Sequence, residues 1–361
     1  MKQVGFIGWR GMVGSTLVRR MLEEGDFNCI KSVFFSTSLY GQKAPEINNL
    51  AKTIEDAYDL VKLLDMDIIV TCQGSEYTQK ILHKLNQKGW QGFWLDAASE
   101  KRMDEDSTIV LDPVNSEVIY ESLEQGIKNF IGGNCTVSLM MLGIHGLIKS
   151  NLIRSISSMS YQAVSGSGAK AINELIQQSN LIIKSIKDQK ELSFYETINQ
   201  KGFPCSEYLA PIAFNLIPFI DSRLANGQSR EEWKAQAELN KVLNRDKPPI
   251  LVDGICVRVP VFRAHSQALT IELERECSIE ALEDIISSAN PWVKLIENTP
   301  QATAEYLTPL AVTNSLDIAV GRLKKTNLSD KHIQLFTVGD QLLWGAAEPL
   351  RRALKIILNA M

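Results

Sequence analysis

The chain has 361 residues, a hydrophobic content of 45%, a charged content of 22% and a formal net charge of −4. This length predicts two domains, and the composition is that of an ordinary globular protein. The negative net charge argues against a nucleic-acid or anionic-membrane partner, and the sequence contains no run of about 18 apolar residues that would predict a membrane span. The six cysteines form no C-x-x-C pair, so we expect no metal site, no disulfide framework and a reducing cytoplasm.

Short apolar runs alternate with helical patterns in the first third of the chain. Strands are predicted at VGFIG, KSVFFS, DIIVTCQG, GFWLDAAS and STIVLDP. Helices are predicted at MVGSTLVRRMLEE and at SEYTQKILHKLNQKG, which begins at Ser75 and ends at Gly89. Strands separated by helices of this length indicate βαβ units and a parallel sheet.

The pattern changes after Gly132 to longer, alternating runs at RSISSMSYQAV, GICVRVPVF and QALTIELE. They are mixed with helical patterns at AKAINELIQQSNLIIKSIKD and SREEWKAQAELNKVL, and the second opens with a Ser229-x-x-Glu232 capping box. The tail, DQLLWGAAEPLRRALKIILNAM, is helical. We therefore predict an α/β protein with a Rossmann domain at 1–133, a mixed α+β domain at 134–337, and a closing helix at 338–361 that returns to the first domain.

A glycine turn follows the first predicted strand. Gly8, Gly11 and Gly14 have a G-x-x-G-x-x-G spacing and stand before a helix. Such a turn lets the backbone approach a pyrophosphate, and the helix N-terminus favours its charge, although a tight turn without a ligand would have the same pattern. The second strand ends in serine and threonine rather than the acidic residue typical of NAD sites, which favours the 2′-phosphate of NADP.

Cys135 follows Gly132, Gly133 and Asn134 and precedes the apolar run TVSLMMLG. The glycines permit a sharp turn, and Asn134 can cap a helix. A cysteine at a helix N-terminus is stabilised as the thiolate. An inert core cysteine is the alternative, but a regular core helix needs no such turn.

Motifs that suggest a known family extend over nearly the whole chain, namely VGFIGWRGMVGS, DAAS followed by RM, GGNCTVSLM, YQAVSGSGA, NGQSREEW, VDGICVRV, HSQA and FTVGDQLLWGAAEPLRR. In these motifs the chain resembles the aspartate-semialdehyde dehydrogenases, and more narrowly the type found in Gram-negative enteric bacteria. The resemblance implies the NADPH-dependent conversion of 4-aspartyl phosphate to aspartate-4-semialdehyde and phosphate, and a homodimer formed by the second domain. Such an enzyme serves the biosynthesis of lysine and diaminopimelate, methionine, threonine and isoleucine.

The resemblance also implies roles for individual residues. Cys135 is the nucleophile, His265 the acid/base and Gln162 a residue that orients the substrate. Substrate contacts are implied for Gln162, Glu238 and Arg258, and phosphate contacts for Arg102, Asn134 and Lys241. With the glycine turn, the implied cofactor site comprises Gly8, Arg10, Gly11, Met12, Val13, Thr37, Ser38, Gln73, Ser165, Gly166, Ser167, Gly168, Ala169 and Gln341.

Two features of the implied site depart from a simple pattern. Ser167 stands where a third glycine is common in the family. Arg258 and His265 are seven residues apart, so one plain strand would place them on opposite faces unless Pro260 interrupts it. An unpaired Arg258 in an apolar strand would be costly, which favours either a carboxylate ligand or a structural ion pair.

Two other functions fit part of the pattern. An N-acetylglutamyl-phosphate reductase would share the glycine turn and the cysteine, but its substrate has no free amino group for Glu238 to bind. An NADP-binding regulator without catalysis would need no activated cysteine. Of the other histidines, His83 is predicted on a surface helix, His145 in the core with its hydrogen bonds satisfied, and His332 at the start of a late strand.

Overall fold

The computed structural model describes residues 1–47, 53–188, 193–245 and 248–361, in two compact units. Unit 1 comprises Met1–Leu142, Ala237–Pro249 and Leu342–Met361, and unit 2 comprises Gly143–Gln236 and Ile250–Gln341. The domain division at residues 133 and 134 stays a prediction, since compact unit 1 extends to Leu142 and takes in a second segment. None of the described helices is both long and apolar enough to cross a membrane.

Unit 1 contains a sheet of seven strands in the order β3-β2-β1-β4-β5-β7-β6, and its paired neighbours are parallel. The strands are β1 Lys2–Ile7, β2 Ile30–Ser36, β3 Glu55–Asp56, β4 Ile68–Thr71, β5 Phe93–Asp96, β6 Ser107–Val110 and β7 Asn129–Gly132. The helices are α1 Met12–Glu23, α2 Leu60–Leu64, α3 Ser75–Gln87, α4 Asp112–Glu124 and α5 Cys135–Gly143. The predicted Rossmann arrangement is confirmed.

The carboxyl ends of the unit 1 strands carry several of the predicted site residues. The glycine turn follows β1, Thr37 follows β2, Gln73 follows β4, and Asn134 follows β7. The central strands β4 and β5 are buried along their whole length, as expected for a parallel sheet that is covered on both faces. Ligands of such sheets bind beyond the carboxyl ends of the strands, so this edge is where a cofactor is expected.

Unit 2 contains a mixed sheet of six strands in the order β11-β12-β13-β10-β8-β9. The strands are β8 Ile153–Ala163, β9 Leu251–Val259, β10 His265–Leu273, β11 Val293–Leu295, β12 Ile318–Lys325 and β13 His332–Gly339. The helices are α6 His145–Lys149, α7 Ala169–Asp188, α8 Ser193–Ile198, α9 Arg230–Val242, α10 Ile279–Ser287, α11 Pro300–Tyr306 and α12 Pro309–Val312. From Gln267 to Leu273 the buried residues of β10 alternate with half-buried ones, which is the period of a strand. The predicted mixed α+β fold is confirmed.

The predicted capping box at the start of α9 is present. The Ser229 amide donates to the Glu232 carboxylate at 2.7 Å, and the Glu232 amide donates to the Ser229 hydroxyl at 3.3 Å. These two bonds satisfy backbone donors that a helix start leaves without partners. The chain passes from unit 2 to unit 1 within α9, after Gln236.

The C-terminal helix α13, Glu348–Ala360, belongs to unit 1 and follows a wide turn at Leu343–Ala347. Its apolar face joins the core of the parallel sheet through Leu350, Ala353, Leu354 and Ile357. Its charged residues pair with earlier parts of unit 1, since Arg20 contacts Glu348 at 3.1 Å and Arg352 contacts Asp112 at 2.6 Å. The predicted closing helix is therefore part of the unit 1 core.

Candidate functional site

A cavity of about 270 Å³ lies at the carboxyl edge of the unit 1 sheet. Six of the predicted cofactor residues line it, namely Gly8, Arg10, Gly11, Thr37, Ser38 and Gln73. Met12 and Val13 begin α1 and are not part of this lining. Trp9, which the motifs did not single out, also lines the cavity, and its indole N–H donates to the Phe35 carbonyl at 3.1 Å. An aromatic residue inside a glycine turn was the signal that could have revealed it.

The glycine turn has the geometry that a nucleotide phosphate requires. Gly8 has φ of +71°, and a Cβ atom there would lie 2.5 Å from the Cys72 backbone. Only glycine fits such a position without strain. The Gly11 amide donates to the Gly8 carbonyl at 3.1 Å, which closes the turn before α1 begins.

The end of β2 presents hydroxyl groups to this cavity. The Ser36 hydroxyl accepts hydrogen bonds from the amides of Ser38 and Leu39, which fixes the loop after the strand. Asp56 pairs beside Ser36 in the sheet, but its carboxylate accepts the Tyr58 amide and is not part of the cavity lining. These residues fit a 2′-phosphate, because the described residues that line the cavity include Arg10 and no acidic residue.

Cys135 is the first residue of α5 and is partly exposed. The Asn134 side-chain oxygen accepts the amides of Thr136 at 2.9 Å and Val137 at 3.2 Å, so Asn134 is the N-cap of this helix. Gly132 and Gly133 are buried before it. The thiol therefore lies at the positive end of a helix dipole, where a thiolate is favoured.

Glu238 links the nucleophile loop to Arg102. One carboxylate oxygen accepts the Asn134 amide at 2.6 Å, and the other accepts Arg102 Nη1 at 3.2 Å. Arg102 also donates from Nε to the Gly132 carbonyl at 2.7 Å and from Nη2 to the Ala97 carbonyl at 3.2 Å. Three predicted site residues, Arg102, Asn134 and Glu238, thus form one buried cluster.

Lys241 is not part of this cluster. It lies one helical turn beyond Glu238 on α9, and its Nζ donates to the Asp104 carbonyl at 2.6 Å. It lines a different cavity of about 430 Å³, whose lining includes neither Arg102 nor Glu238. Burial lowers the pKa of Lys241.

In unit 2, three adjacent strands bring Gln162, Arg258 and His265 together. β8 pairs with β9 on one side and with β10 on the other, and Gln162 is in register with Arg258. Arg258 Nη1 donates to the Ala163 carbonyl at 2.7 Å, and the Ala163 amide donates to His265 Nδ1 at 3.0 Å. The seven-residue separation is resolved because β9 ends at Val259, before Pro260, and β10 begins at His265.

His265 is almost fully buried, with 1% of its surface exposed. Burial, and secondarily the Arg258 cation, lower the pKa of His265 to about 3. The Ala163 amide occupies Nδ1, so the neutral ring carries its proton on Nε2. The ring can accept a second proton only after the Ala163 hydrogen bond breaks.

Arg258 is a buried cation, with 6% of its surface exposed. Across the described ranges of the chain, no carboxylate lies within 4.0 Å of its guanidinium. The structural ion pair that the sequence left open is therefore not observed there. An uncompensated buried charge is costly, which favours a ligand carboxylate as its partner.

Gln162 has a neighbour that the sequence analysis did not single out. Its side-chain amide donates to the Ser160 hydroxyl at 3.2 Å and to the Glu231 carboxylate at 3.3 Å. Glu231 also pairs with Lys234 at 3.0 Å. A glutamate inside the motif SREEW, beside a capping box, gave no signal that separated this contact from helix capping.

The loop that carries Ser165, Gly166, Ser167, Gly168 and Ala169 lies against these residues. A Cβ atom at Gly166 would lie 3.0 Å from Arg258 Nη1 and 3.4 Å from His265 Nε2, so the backbone of this loop approaches both side chains closely. Gln341 accepts the Ala264 amide at 2.7 Å and donates to the Ser165 hydroxyl. Gln341 thus joins this loop to the residue before His265, and its cofactor contact stays a prediction.

The other histidines and Cys72 do not have the surroundings of His265 and Cys135. His83 and His332 are exposed or half-buried and contact Gln87 and Ser329. His145 is buried as predicted, but its Nδ1 has no hydrogen-bond partner within the described part of the chain, so the prediction of a fully satisfied ring was wrong. Burial, and then Asp96, raise the pKa of the Cys72 thiol to about 12, which excludes it as a rival nucleophile near neutral pH.

Two family models and several solved structures match this chain. Residues 3–122 match the semialdehyde dehydrogenase NAD binding domain, and residues 144–344 match the semialdehyde dehydrogenase dimerisation domain. The aspartate semialdehyde dehydrogenase from Francisella tularensis is 50% identical, with a TM-score of 0.95 over 99% of this chain and 100% of that one.

Two more distant structures share the fold. Aspartate semialdehyde dehydrogenase II from Vibrio cholerae, complexed with ASA, is 24% identical with a TM-score of 0.83 over 99% of this chain and 98% of that one. The enzyme from Candida albicans with NADP is 16% identical with a TM-score of 0.69 over the full length of both chains. The identity to the Francisella enzyme and the two family models together show that the chain belongs to the aspartate-semialdehyde dehydrogenase family.

Proposed function

We propose that this chain converts 4-aspartyl phosphate to aspartate-4-semialdehyde and phosphate, with Cys135 as the covalent nucleophile. The observation that carries the proposal is the position of Cys135 at the start of α5, after a glycine turn and beside the Asn134 cap. The full-length similarity at 50% identity supports the same reaction. Nothing in the structure favours a regulator without catalysis or an N-acetylglutamyl-phosphate reductase.

Covalent catalysis divides the reaction into two steps. The Cys135 thiolate attacks the carbonyl carbon, the C–S bond forms, and the C–O bond to phosphate breaks with release of inorganic phosphate. NADPH, when bound, supplies the hydride that reduces the resulting thioester. The C–S bond then breaks, the aldehyde leaves, and the thiolate is restored. Arg102, Asn134 and Lys241 are the proposed phosphate contacts, although Lys241 lies outside the cluster that Arg102 and Asn134 form with Glu238.

Proton movement in this scheme is assigned to His265. A ring that starts neutral can take up a proton and return it, once its bond to the Ala163 amide breaks. Arg258 is the proposed ligand of the substrate α-carboxylate, through two parallel hydrogen bonds. Gln162 is proposed to orient the substrate, and Glu238 to bind its amino group.

Replacement of His265 by asparagine is expected to lower kcat by roughly 100-fold or more, as for the loss of a general acid/base, with little change in semialdehyde affinity. Steady-state kinetics with aspartate semialdehyde measure this effect. His83→Asn, at an exposed position, serves as the control and should leave kcat unchanged. A His265→Asn enzyme with normal kcat, together with an inactive His145→Asn enzyme, would show that the wrong histidine was chosen.

NADP is the proposed cofactor, held in unit 1 by the cavity that includes Arg10, Thr37 and Ser38. The guanidinium of Arg10 can meet the 2′-phosphate, and charged hydrogen bonds contribute about 1.5–3 kcal/mol each. One or two such bonds would give a preference for NADP over NAD of roughly ten- to several thousandfold. The loop from Ser165 to Ala169 and Gln341 are proposed further contacts.

The Thr37→Asp substitution is expected to shift cofactor preference towards NAD by about tenfold or more, because a carboxylate at the end of β2 repels the 2′-phosphate and can accept a ribose hydroxyl. The measurement is kcat/KM for NADP and for NAD in both proteins. Thr37→Asn has nearly the same shape without the charge and should keep the preference for NADP. If the wild type has the same kcat/KM with NADP and with NAD, the residues at the end of β2 do not select NADP.

The most direct test of the proposed function is NADP⁺ reduction with aspartate semialdehyde, measured with and without inorganic phosphate. We expect reduction to require both the semialdehyde and phosphate. N-acetylglutamate semialdehyde should be a poor substrate, since it has no free amino group. Activity with the N-acetylated compound alone would favour the related reductase.

The proposal extends to the oligomeric state, the cellular location and the pathways of this enzyme. We infer a homodimer, because the matched region of unit 2 is named a dimerisation domain and exposes Leu209, Phe214 and Leu216. Light scattering after size-exclusion chromatography would test the dimer. A cytoplasmic enzyme of the Gram-negative enteric type, serving the biosynthesis of diaminopimelate and lysine, methionine, threonine and isoleucine, fits the motifs quoted above.

A further inference from the structure

Glu238 is engaged by protein groups in the structure. Its side chain is 2% exposed, and its two oxygens accept the Asn134 amide and Arg102 Nη1. These are the residue that precedes the nucleophile and the proposed phosphate ligand. A carboxylate in this position compensates a buried cation that would otherwise need an anion.

Arg102 is held from three directions. Its Nε and Nη2 donate to the carbonyls of Gly132 and Ala97, at the ends of β7 and β5. The guanidinium is therefore fixed to the sheet edge. A phosphate that binds Arg102 must approach the same cation that Glu238 already contacts.

Asp96 is a second acidic group near Arg102, but its oxygens have other partners. One accepts the Ala98 amide at 2.8 Å, and the other accepts the Thr78 hydroxyl at 2.5 Å and the Trp94 indole at 3.2 Å. Glu238 is thus the carboxylate with which a phosphate competes for Arg102.

The charges of this cluster make the two proposed ligand groups depend on each other. Phosphate bound alone at Arg102 places two anions side by side in a buried site, which is unfavourable. An ammonium group bound alone at Glu238 lies beside the Arg102 cation, and the two positive charges repel each other. When both groups are present, each ligand charge has an opposite partner, and the Arg102–Glu238 pair is replaced by two ligand pairs.

We propose that the buried Arg102–Glu238 pair couples the phosphate and amino-group subsites, so that occupation of one strengthens binding at the other. This inference rests on the proposed function of these two residues. Coupling between subsites is reciprocal and is typically about 5- to 150-fold in affinity. It makes the enzyme selective for substrates that carry both a free amino group and a phosphoryl group.

The test is calorimetric titration of inorganic phosphate into the cofactor-free enzyme. For the wild type, saturating aspartate semialdehyde should tighten phosphate binding by about 5-fold or more, while succinate semialdehyde, which lacks the amino group, should not. Glu238→Gln keeps an acceptor for the Asn134 amide but removes the charge. It should bind phosphate more tightly than the wild type when no semialdehyde is present, and the effect of semialdehyde should disappear.

Glu117→Gln makes the same change of net charge at an exposed position and should leave phosphate binding as in the wild type. A purely structural role of Glu238 predicts the opposite result, weaker phosphate binding in Glu238→Gln. The wild type alone can also overturn the coupling, even if the variant does not fold. The coupling is excluded if the two semialdehydes raise the phosphate affinity equally, or if neither raises it. Failure of the proposed function can be distinguished from failure of the coupling, because in the first case the wild type would reduce no NADP⁺ with aspartate semialdehyde and phosphate.

Discussion

Replacement of Cys135 by alanine is expected to abolish turnover, with a loss of several orders of magnitude in kcat, while the fold and cofactor binding remain intact. The thiolate forms the bond to the substrate carbonyl, and no other group at the start of α5 can do so. Alanine is smaller than cysteine and is compatible with a helix N-terminus, and the Asn134 cap does not involve the thiol. Steady-state and single-turnover kinetics measure the loss.

The matched control is Cys29→Ala, which removes an exposed thiol from unit 1 and should keep full activity. Mass spectrometry of the wild type mixed with 4-aspartyl phosphate in the absence of cofactor should detect an acyl adduct on the peptide that contains Cys135. Near-normal turnover by Cys135→Ala would exclude the covalent mechanism.

The Arg258→Lys enzyme is expected to lose most of its kcat/KM for aspartate semialdehyde. Lysine keeps the positive charge but not the planar fork that can grip a carboxylate with two parallel hydrogen bonds. Disruption of a buried charged pair costs about 2–5 kcal/mol, which corresponds to roughly 30- to several thousandfold in kcat/KM. The absence of a protein carboxylate near Arg258 in the described ranges makes the substrate its expected partner.

Arg154→Lys is the control for this prediction. Arg154 lies near the start of β8 in the same sheet, is exposed, and pairs with Glu272 at the surface, so the exchange should leave kcat/KM unchanged. Circular dichroism should show that both variants are folded. If Arg258→Lys has normal kcat/KM, Arg258 does not hold the substrate carboxylate.

The local patterns of the sequence were enough to predict most elements. Alternation along β10, the capping box at Ser229 and the apolar runs of β4 and β5 each reflect forces between near neighbours, and each was found where expected. The meeting of Arg258 and His265 at Ala163 could not be derived in this way. It depends on β8 lying between β9 and β10, which is a long-range pairing.

In the candidate site too, contacts between neighbours in the sequence could be predicted and contacts between distant residues could not. The Asn134 cap follows from its place before a helix, but the contact between Arg102 and Glu238 joins residues far apart in the chain. The return of 237–249 to unit 1 gives no composition signal, since α9 runs through the boundary without a break. Lys241 was grouped with Arg102 by resemblance alone, and its amine contacts the Asp104 carbonyl instead.

The position of α13 has a consequence for the order of events during synthesis. The segment 1–142 leaves the ribosome with the apolar surface that Leu350, Leu354 and Ile357 later cover still open to water. At about 5–20 residues per second, the delay before α13 is made is on the order of 10–40 s. A nascent chain that stops at residue 341 should therefore be cleaved by protease within 1–142, and resistance there would contradict this order. During that interval the sheet face that α13 later covers is the part of the chain most in need of a chaperone.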